Sequence, residues 1–334
     1  NVFRLLQSCG IPVAFHEQIW QETFAYEFGD PKEPDKHGFT APLCAMLPFE
    51  VVVRRLGYGT YLDRNPHLEK GHVFPKLVVE FFLKTSGKVW RGVGSGKTYE
   101  LKKDDPLISF DWSNEKIDLY YPGHSADERK TAPKGELVAQ KPFLTLPINE
   151  VFGETQSTEM SSGLIELMTI IATDTFLVLE KAWQLQGKNL ADFKVEFGDD
   201  MDGNLLLADV IDNDSWRVID VDGSHMDKQG YREGADLDTV SLKYLKVANL
   251  TDRFTIPKQR LILWRGSESD STSPFIEVIE KFSNGRLRVW YDGLVVTCSV
   301  HKQPSLAYSK LQKLLSEIPD SVIIAYAGLN NGAG

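Results

Sequence analysis

Cysteine is scarce in this chain: Cys9, Cys44 and Cys298 are the three among 334 residues, odd in number and far apart. That spacing suggests neither a disulfide framework nor a zinc site and fits a reducing compartment, so the expected location is cytoplasmic. Positive charge is also short, with 37 Lys and Arg against 47 Asp and Glu, a formal charge of −10. Sequence-independent binding to nucleic acid or an anionic membrane needs a broad basic surface, so neither partner is expected. An anionic ligand must then be met by a few local arginines or by a metal. Uninterrupted apolar runs are missing as well. The greasiest stretch, LIELMTIIATDTFLVLEKAW, carries Glu166, Asp174 and Glu180, and on that ground the chain is expected not to span a membrane. No internal repeat is present. The opening NVFRLLQSCGIPVAF is a half-apolar helical pattern running into Gly10, which reads as chain already inside a fold and not as a signal or transit peptide.

What is present is ordinary globular composition, 42% hydrophobic, 25% charged and 11% aromatic, with length enough for two domains. Residues 1–83 read as a short helix followed by strands, AMLPFEVVVRRLGYGTYLDRNP being a buried β run ended by a Gly-rich turn. Residues 84–153, rich in Gly, Lys, Pro and Ser with little periodicity, read as a long insertion or lid. A long amphipathic helix is expected over 157–186, closed by Gly187, then two strands and a helix near 236–250. From residue 259 the texture alternates: strand, Gly-Ser turn, helix 275–283, strand 287–298, helix 304–317 and strand 321–327, a parallel α/β pattern.

The stretch RGVGSGKTYE, 91–100, imitates a phosphate-binding loop. Gly96, Lys97 and Thr98 fit, but Arg91 stands where the first glycine belongs, and the charged YELKKDDPLI that follows has no helical stripe. A surface insertion is the expectation.

The richest stretch is ADFKVEFGDDMDGNLLLADVIDNDSWR, 191–217. Alternation puts Phe193, Val195 and Phe197 on one face and Asp192, Lys194 and Glu196 on the other. Asp202-Gly203 reads as a two-residue hairpin turn, which sets Glu196 opposite Asp209. Two facing carboxylates repel unless a cation lies between them, and an oxygen-only pair suits Mg²⁺ better than zinc. A solvent-facing hairpin with scattered charges fits the same spacing. Arg54, Arg55, Thr60 and Arg64 flank a turn through Gly57 and Gly59, as a phosphate site or a plain exposed turn would have it. Asp214, Arg217, Lys228 and Arg232 follow the acidic hairpin.

These residues resemble SAICAR synthetases, the phosphoribosylaminoimidazole-succinocarboxamide synthases, and among them the animal-type bifunctional proteins fused to an aminoimidazole ribonucleotide carboxylase. The segments that carry the resemblance are NVFRLLQSCGI, AMLPFEVVVRRLGYGTYLDRNP, DFKVEFG, LLLADVIDNDSWR and DKQGYR, within residues 1–232. It implies an α+β, two-lobed ATP-grasp/kinase-like domain over 1–253, then a partial α/β three-layer flavodoxin-like carboxylase domain over 259–334. It also implies a purine-biosynthesis ligase that uses ATP and Mg²⁺ to join aspartate to carboxyaminoimidazole ribonucleotide, in a homo-oligomer. Carried over by motif, Glu196 and Asp209 would hold Mg²⁺, Lys194 would meet ATP phosphates, and Met46 would lie at the hinge that meets adenine. Arg54, Thr60, Asp105, Arg217, Lys228 and Arg232 would hold the ribonucleotide or carboxylates, with Asp192 and Asp214 orienting polar atoms. In the second domain, Ser267, Ser269 and Asp270 of LWRGSESD match a phosphate turn, and Ser299 and His301 of CSVHK match a segment with a proton-transfer histidine; standing alone, His301 reads first as an ordinary surface histidine.

The departures are specific. Thr60 stands where the family has serine. The pattern KDDAxxDP is split, Lys84 on one side of the 85–103 insertion and Asp105-Pro106 on the other. Glycine-rich strands expected before Asn1, and the last elements of a carboxylase after Gly334, are outside the sequence. A non-catalytic relative serving as an oligomeric assembly or nucleotide-sensing module is therefore the alternative expectation.

Overall fold

The computed structural model describes residues 1–20, 37–123, 141–226 and 237–254, with two short strands at 262–264 and 323–325. Along the first half of the chain lie α1 (Val2–Ser8), β1 (Glu17–Trp20), β2 (His37–Thr40), β3 (Ala45–Leu56), α2 (Thr60–Arg64), β4 (Val73–Leu83), β5 (Val89–Arg91), β6 (Thr98–Glu100), β7 (Leu107–Asp111) and β8 (Lys116–Tyr120). The second half adds β9 (Leu144–Pro147), α3 (Asn149–Phe152), α4 (Thr158–Leu185), β10 (Asn189–Asp199), β11 (Leu205–Leu207), β12 (Trp216–Ile219), α5 (Leu237–Thr251), β13 (Ile262–Trp264) and β14 (Ile323–Ala325).

Eight strands make one antiparallel sheet in the order β11-β10-β3-β4-β7-β8-β9, with β12 also on β10. Period-two alternation gives it two faces. Phe49, Val51 and Val53 of β3, Phe81 and Leu83 of β4, and Phe193, Val195 and Phe197 of β10 are buried in one core cluster with Met168, Phe176, Leu179 and Trp183 of α4. Phe176 meets Phe193 edge-on at 5.4 Å. Each such side chain removed from water contributes about 1.5–3 kcal/mol, so the α4 face of the sheet holds the fold. The opposite face is left for polar chemistry.

The ends of α4 are those the sequence announces. The Ser157 hydroxyl accepts from the Met160 N–H at 3.2 Å. Past Gln186, Gly187 takes φ +70, with Gly187 N–H donating to Gln184 and Lys188 N–H to Trp183, the paired closure of a left-handed cap. The expectation that internal charges keep this helix from membrane-spanning character is corrected: by length and composition it is apolar enough to cross a membrane. Its apolar side chains are spent on the sheet, and Glu180 is buried in a two-bond pair with Arg55 at 2.7 and 3.0 Å.

The reading of 84–153 as an insertion or lid is also corrected. β7, β8 and β9 extend the main sheet, and Ile108, Ile117, Leu119 and Leu146 belong to its core. Strands of four and five residues are too short for periodicity to stand out. β13 and β14 pair in parallel, Leu263 opposite Ile324. The rest of 259–334, and with it the flavodoxin-like layering expected there, lies outside the described residues.

Candidate active site

The register of β3 on β10 builds the polar face. Arg54 lies opposite Asp192, Val52 opposite Lys194 and Glu50 opposite Glu196. A cavity of about 360 Å³ opens there. Arg54, Thr60, Asp105, Asp192, Lys194, Asp214 and Arg217, seven residues singled out from sequence, line it together. They come from β3, the start of α2, the segment before β7, β10, the turn into β12 and β12 itself. Glu50, Lys84, Asp104, Asn213 and Ser215 line it too. Glu50 sits in alternation with Val52 and Arg54, a signal the sequence offered.

Asp192 is buried, and its Oδ2 accepts from Arg54 at 2.9 Å and from Arg217 at 2.5 Å. Arg54 also donates through Nε to Glu80 at 2.8 Å, and Glu80 receives Arg64 on its other oxygen. Five charges of alternating sign thus run Arg217, Asp192, Arg54, Glu80, Arg64. Burial opposes the Arg54 charge, but Asp192 and Glu80 outweigh it and raise the guanidinium's pKa. Arg217 is covered by the turn before α2: Gly59 has φ +62, and a Cβ there would lie 3.3 Å from the Arg217 guanidinium. Glycine permits both the backbone and the approach.

The proposed facing of Glu196 and Asp209 is corrected. β10 and β11 pair as Phe197 with Leu207 and Asp199 with Leu205, so Glu196 is opposite Ala208, whose N–H donates to the Glu196 carbonyl at 3.0 Å. Asp209 is one residue further, past the end of β11. The turn is Met201–Gly203, with Gly203 at φ +79 donating to the Asp200 carbonyl. Asp200 decides this: its carboxylate accepts from the N–H groups of Asp202 and Asn204 at 2.9 and 2.8 Å, favouring a three-residue loop over a two-residue one.

The carboxylates that do face each other are Glu196 and Glu50, on the β3 side of β10. Two ammonium groups lie with them. Lys84 Nζ is 3.1 Å from Glu196 and 3.6 Å from Glu50, and Lys194 Nζ is 2.8 Å from Glu50. Burial works against the Lys84 charge, yet Glu196, Glu50 and Asp105 together raise its pKa. Facing acids here are already held by cations.

Met46, half exposed, lies on β3 opposite Gly198 and does not line the cavity. The phosphate-loop imitation is a hairpin: β5 and β6 pair around Gly92–Lys97, and a strand follows Lys97 where a phosphate loop needs a helix. Lys97 Nζ lies over the Tyr99 ring at 4.9 Å. Lys228, Arg232, Ser267, Ser269, Asp270, Ser299 and His301 lie outside the described residues.

Arginines, lysines and the acids Glu50, Asp104, Asp105 and Asp214 around one cavity on an antiparallel sheet give it the chemistry to receive phosphate or carboxylate groups. Residues 1–88 and 150–250, more than half the chain, match the SAICAR synthetase family model, and the chain belongs to that family. It is 34% identical, over 76% of each chain, to a phosphoribosylaminoimidazole-succinocarboxamide synthase of Chloroflexus aurantiacus. It is 28% identical, over all of its own length, to a bifunctional phosphoribosylaminoimidazole carboxylase/phosphoribosylaminoimidazole succinocarboxamide synthetase of Drosophila melanogaster, of which it spans 63%. A solved SAICAR synthetase in complex with ADP aligns over 77% of this chain and 78% of its own at 22% identity and a TM-score of 0.46.

Proposed function

We propose that this chain carries out the ATP-dependent joining of aspartate to carboxyaminoimidazole ribonucleotide in purine biosynthesis. One observation carries the reading: Arg54, Arg217, Lys194 and Lys84 converge on one cavity with Glu50, and Lys84 reaches from there to Glu196, which faces Glu50 across the ladder, in a member of the SAICAR synthetase family. Such a reaction brings together a triphosphate, a ribonucleotide carboxylate and an amino acid. Charge neutralisation and alignment are what it demands of a protein.

In this reading ATP transfers its γ-phosphoryl group to the imidazole carboxylate. The aspartate amine then attacks the acyl carbon, forming the C–N bond as phosphate departs and the nitrogen loses a proton. Arg54, Thr60 and Arg217, with Lys228 and Arg232, hold phosphate and carboxylate groups. Lys194 meets transferring phosphate, Asp105 and Asp214 receive substrate donors, and Met46 abuts adenine. Asp192 acts one step back, since its carboxylate is engaged by two arginines.

The residues fit magnesium, which takes one or two carboxylates and completes its shell with phosphate oxygens and water. Glu196 would hold it together with Glu50, the carboxylate that faces it across the ladder. Among the described residues no three His, Cys, Asp or Glu side chains converge. When bound it would neutralise the phosphoryl oxygens during transfer.

The chain spans 63–64% of the length of two animal relatives, from Drosophila melanogaster and Caenorhabditis elegans. A carboxylase-like unit over 259–334, using Ser267, Ser269, Asp270, Ser299 and His301, is part of the proposal, as are a homo-oligomer and a cytoplasmic location. The test is ADP release. It should require aspartate and the carboxylated ribonucleotide together and fall about 100-fold or more in Glu196→Ala; release indifferent to either substrate defeats the reading.

A further inference from the structure

Residues 85–104 form an arm that starts at the cavity and ends on α3. At its base Thr85 and Asp105 exchange hydrogen bonds, the Thr85 N–H donating to the Asp105 carboxylate at 2.8 Å and the Asp105 N–H to the Thr85 hydroxyl at 2.9 Å. The Lys88 N–H donates to the Asp104 carboxylate. Asp105 sits at φ +44, a left-handed conformation that a non-glycine residue keeps only when its surroundings impose it. Asp104, Asp105 and Lys84 line the cavity.

The tip is bolted to α3. The Val93 N–H donates to the Glu150 carbonyl at 2.7 Å, and the Ser95 hydroxyl to the buried Glu150 carboxylate at 2.9 Å. The glycines that imitate a phosphate loop make this docking possible. A Cβ on Gly92 would lie 1.6 Å from Glu150 Oε2, and one on Gly94 would lie 2.7 Å from the Asn149 carbonyl oxygen. Between base and tip, Leu101 is buried, and Trp90 and Tyr99 pack against the main core.

We infer that the arm is a positioning element: its docking on α3 fixes Asp104 and Asp105 in the cavity, where two carboxylates select the substrate that presents amine or hydroxyl donors. The glycines of RGVGSGKTYE serve close packing. The substrates' identity rests on the ligase reading; the coupling of tip to base does not. A carboxylate pair repels ATP phosphates, so its displacement should weaken the ribonucleotide or aspartate and spare the triphosphate end of ATP.

The test uses the full chain with Gly94→Ala, which sets a methyl against a backbone carbonyl that cannot swing aside. Ser95→Ala loses the bond to Glu150 and the one its hydroxyl accepts from the Lys97 N–H, without a clash, and should act in the same direction, more weakly, should the first variant fail to fold. Amide hydrogen exchange at Thr85, Lys88 and Asp105 should accelerate roughly tenfold in Gly94→Ala, and KM for the ribonucleotide or aspartate should rise roughly tenfold while KM for ATP stays. Lys97→Ala should change none of these. Faster exchange at Val93 with unchanged base amides overturns the inference, and so does a lower melting temperature with all three KM values unmoved. A wild-type chain without aspartate-dependent ADP release sinks the ligase reading only, and the exchange comparison then decides the arm by itself.

Discussion

Arg54 can stay buried and charged only because two carboxylates meet it from opposite sides, Asp192 at 2.9 Å and Glu80 at 2.8 Å. Glu80 does not line the cavity, yet it fixes the arginine that does. Removing one partner from a buried pair leaves an uncompensated charge, so Glu80→Ala should cost about 3–5 kcal/mol, read from the denaturant midpoint. A variant within about 0.5 kcal/mol of wild type would show that water replaces the carboxylate freely and that Arg54 is not held as described. The same logic governs the acid pair. Lys84 and Lys194 now supply the cations that facing Glu50 and Glu196 require, so a divalent ion entering with a triphosphate would compete with them. The Lys84 pKa is raised, so its share of stability is complete below the ordinary lysine value of 10.5 and is lost as pH climbs through the folded value.

Among the elements, β10 ties the site to the core. Alternate side chains feed the apolar cluster and the cavity, and a one-residue slip would exchange the two sets. Its start is pinned by Lys188, whose ammonium is 2.6 Å from Asp220 just after β12. The hydrogen bond from Lys188 holds the Asp220 carboxyl below its ordinary 3.8 against a smaller opposing effect of burial. A depressed carboxyl stabilises the fold above its unfolded value, and that contribution disappears as pH falls through the folded one. Urea midpoints measured downward from pH 5 should therefore fall less steeply below 3.8 in Lys188→Met than in wild type. Identical slopes would mean that the pair does not report on folding. The arm built from β5 and β6 shows the opposite relation between motif and element, since its glycines resemble a phosphate cradle and serve a docking contact.

For the whole molecule, one antiparallel sheet with α4 on one face and the cavity on the other separates stability from chemistry. Phe176 is fully buried on the α4 side and stacks edge-on with Phe193. Phe176→Ala should cost about 3–5 kcal/mol through lost transfer energy and a residual void, with the urea slope unchanged; a loss under about 1 kcal/mol would mean the core had closed over the gap. By itself the sequence determined what depends on neighbours along the chain: the helix and its closure at Gly187, and the alternation of Phe193, Val195 and Phe197 against Asp192, Lys194 and Glu196; the family resemblance of its motifs added the rest of the seven residues that meet in the cavity. Those signals are local, set by repeat length, side-chain branching and capping chemistry. Tertiary structure alone decided that Glu196 faces Glu50, because β3 and β10 meet from distant parts of the chain; the miss at Asp209 was local, a turn that the Asp200 carboxylate reshapes. Tertiary structure also decided that the short strands after residue 106 complete the sheet, and that an apolar helix long enough for a membrane is spent on a core. Such outcomes belong to pairings between distant segments, whose energies no single stretch carries.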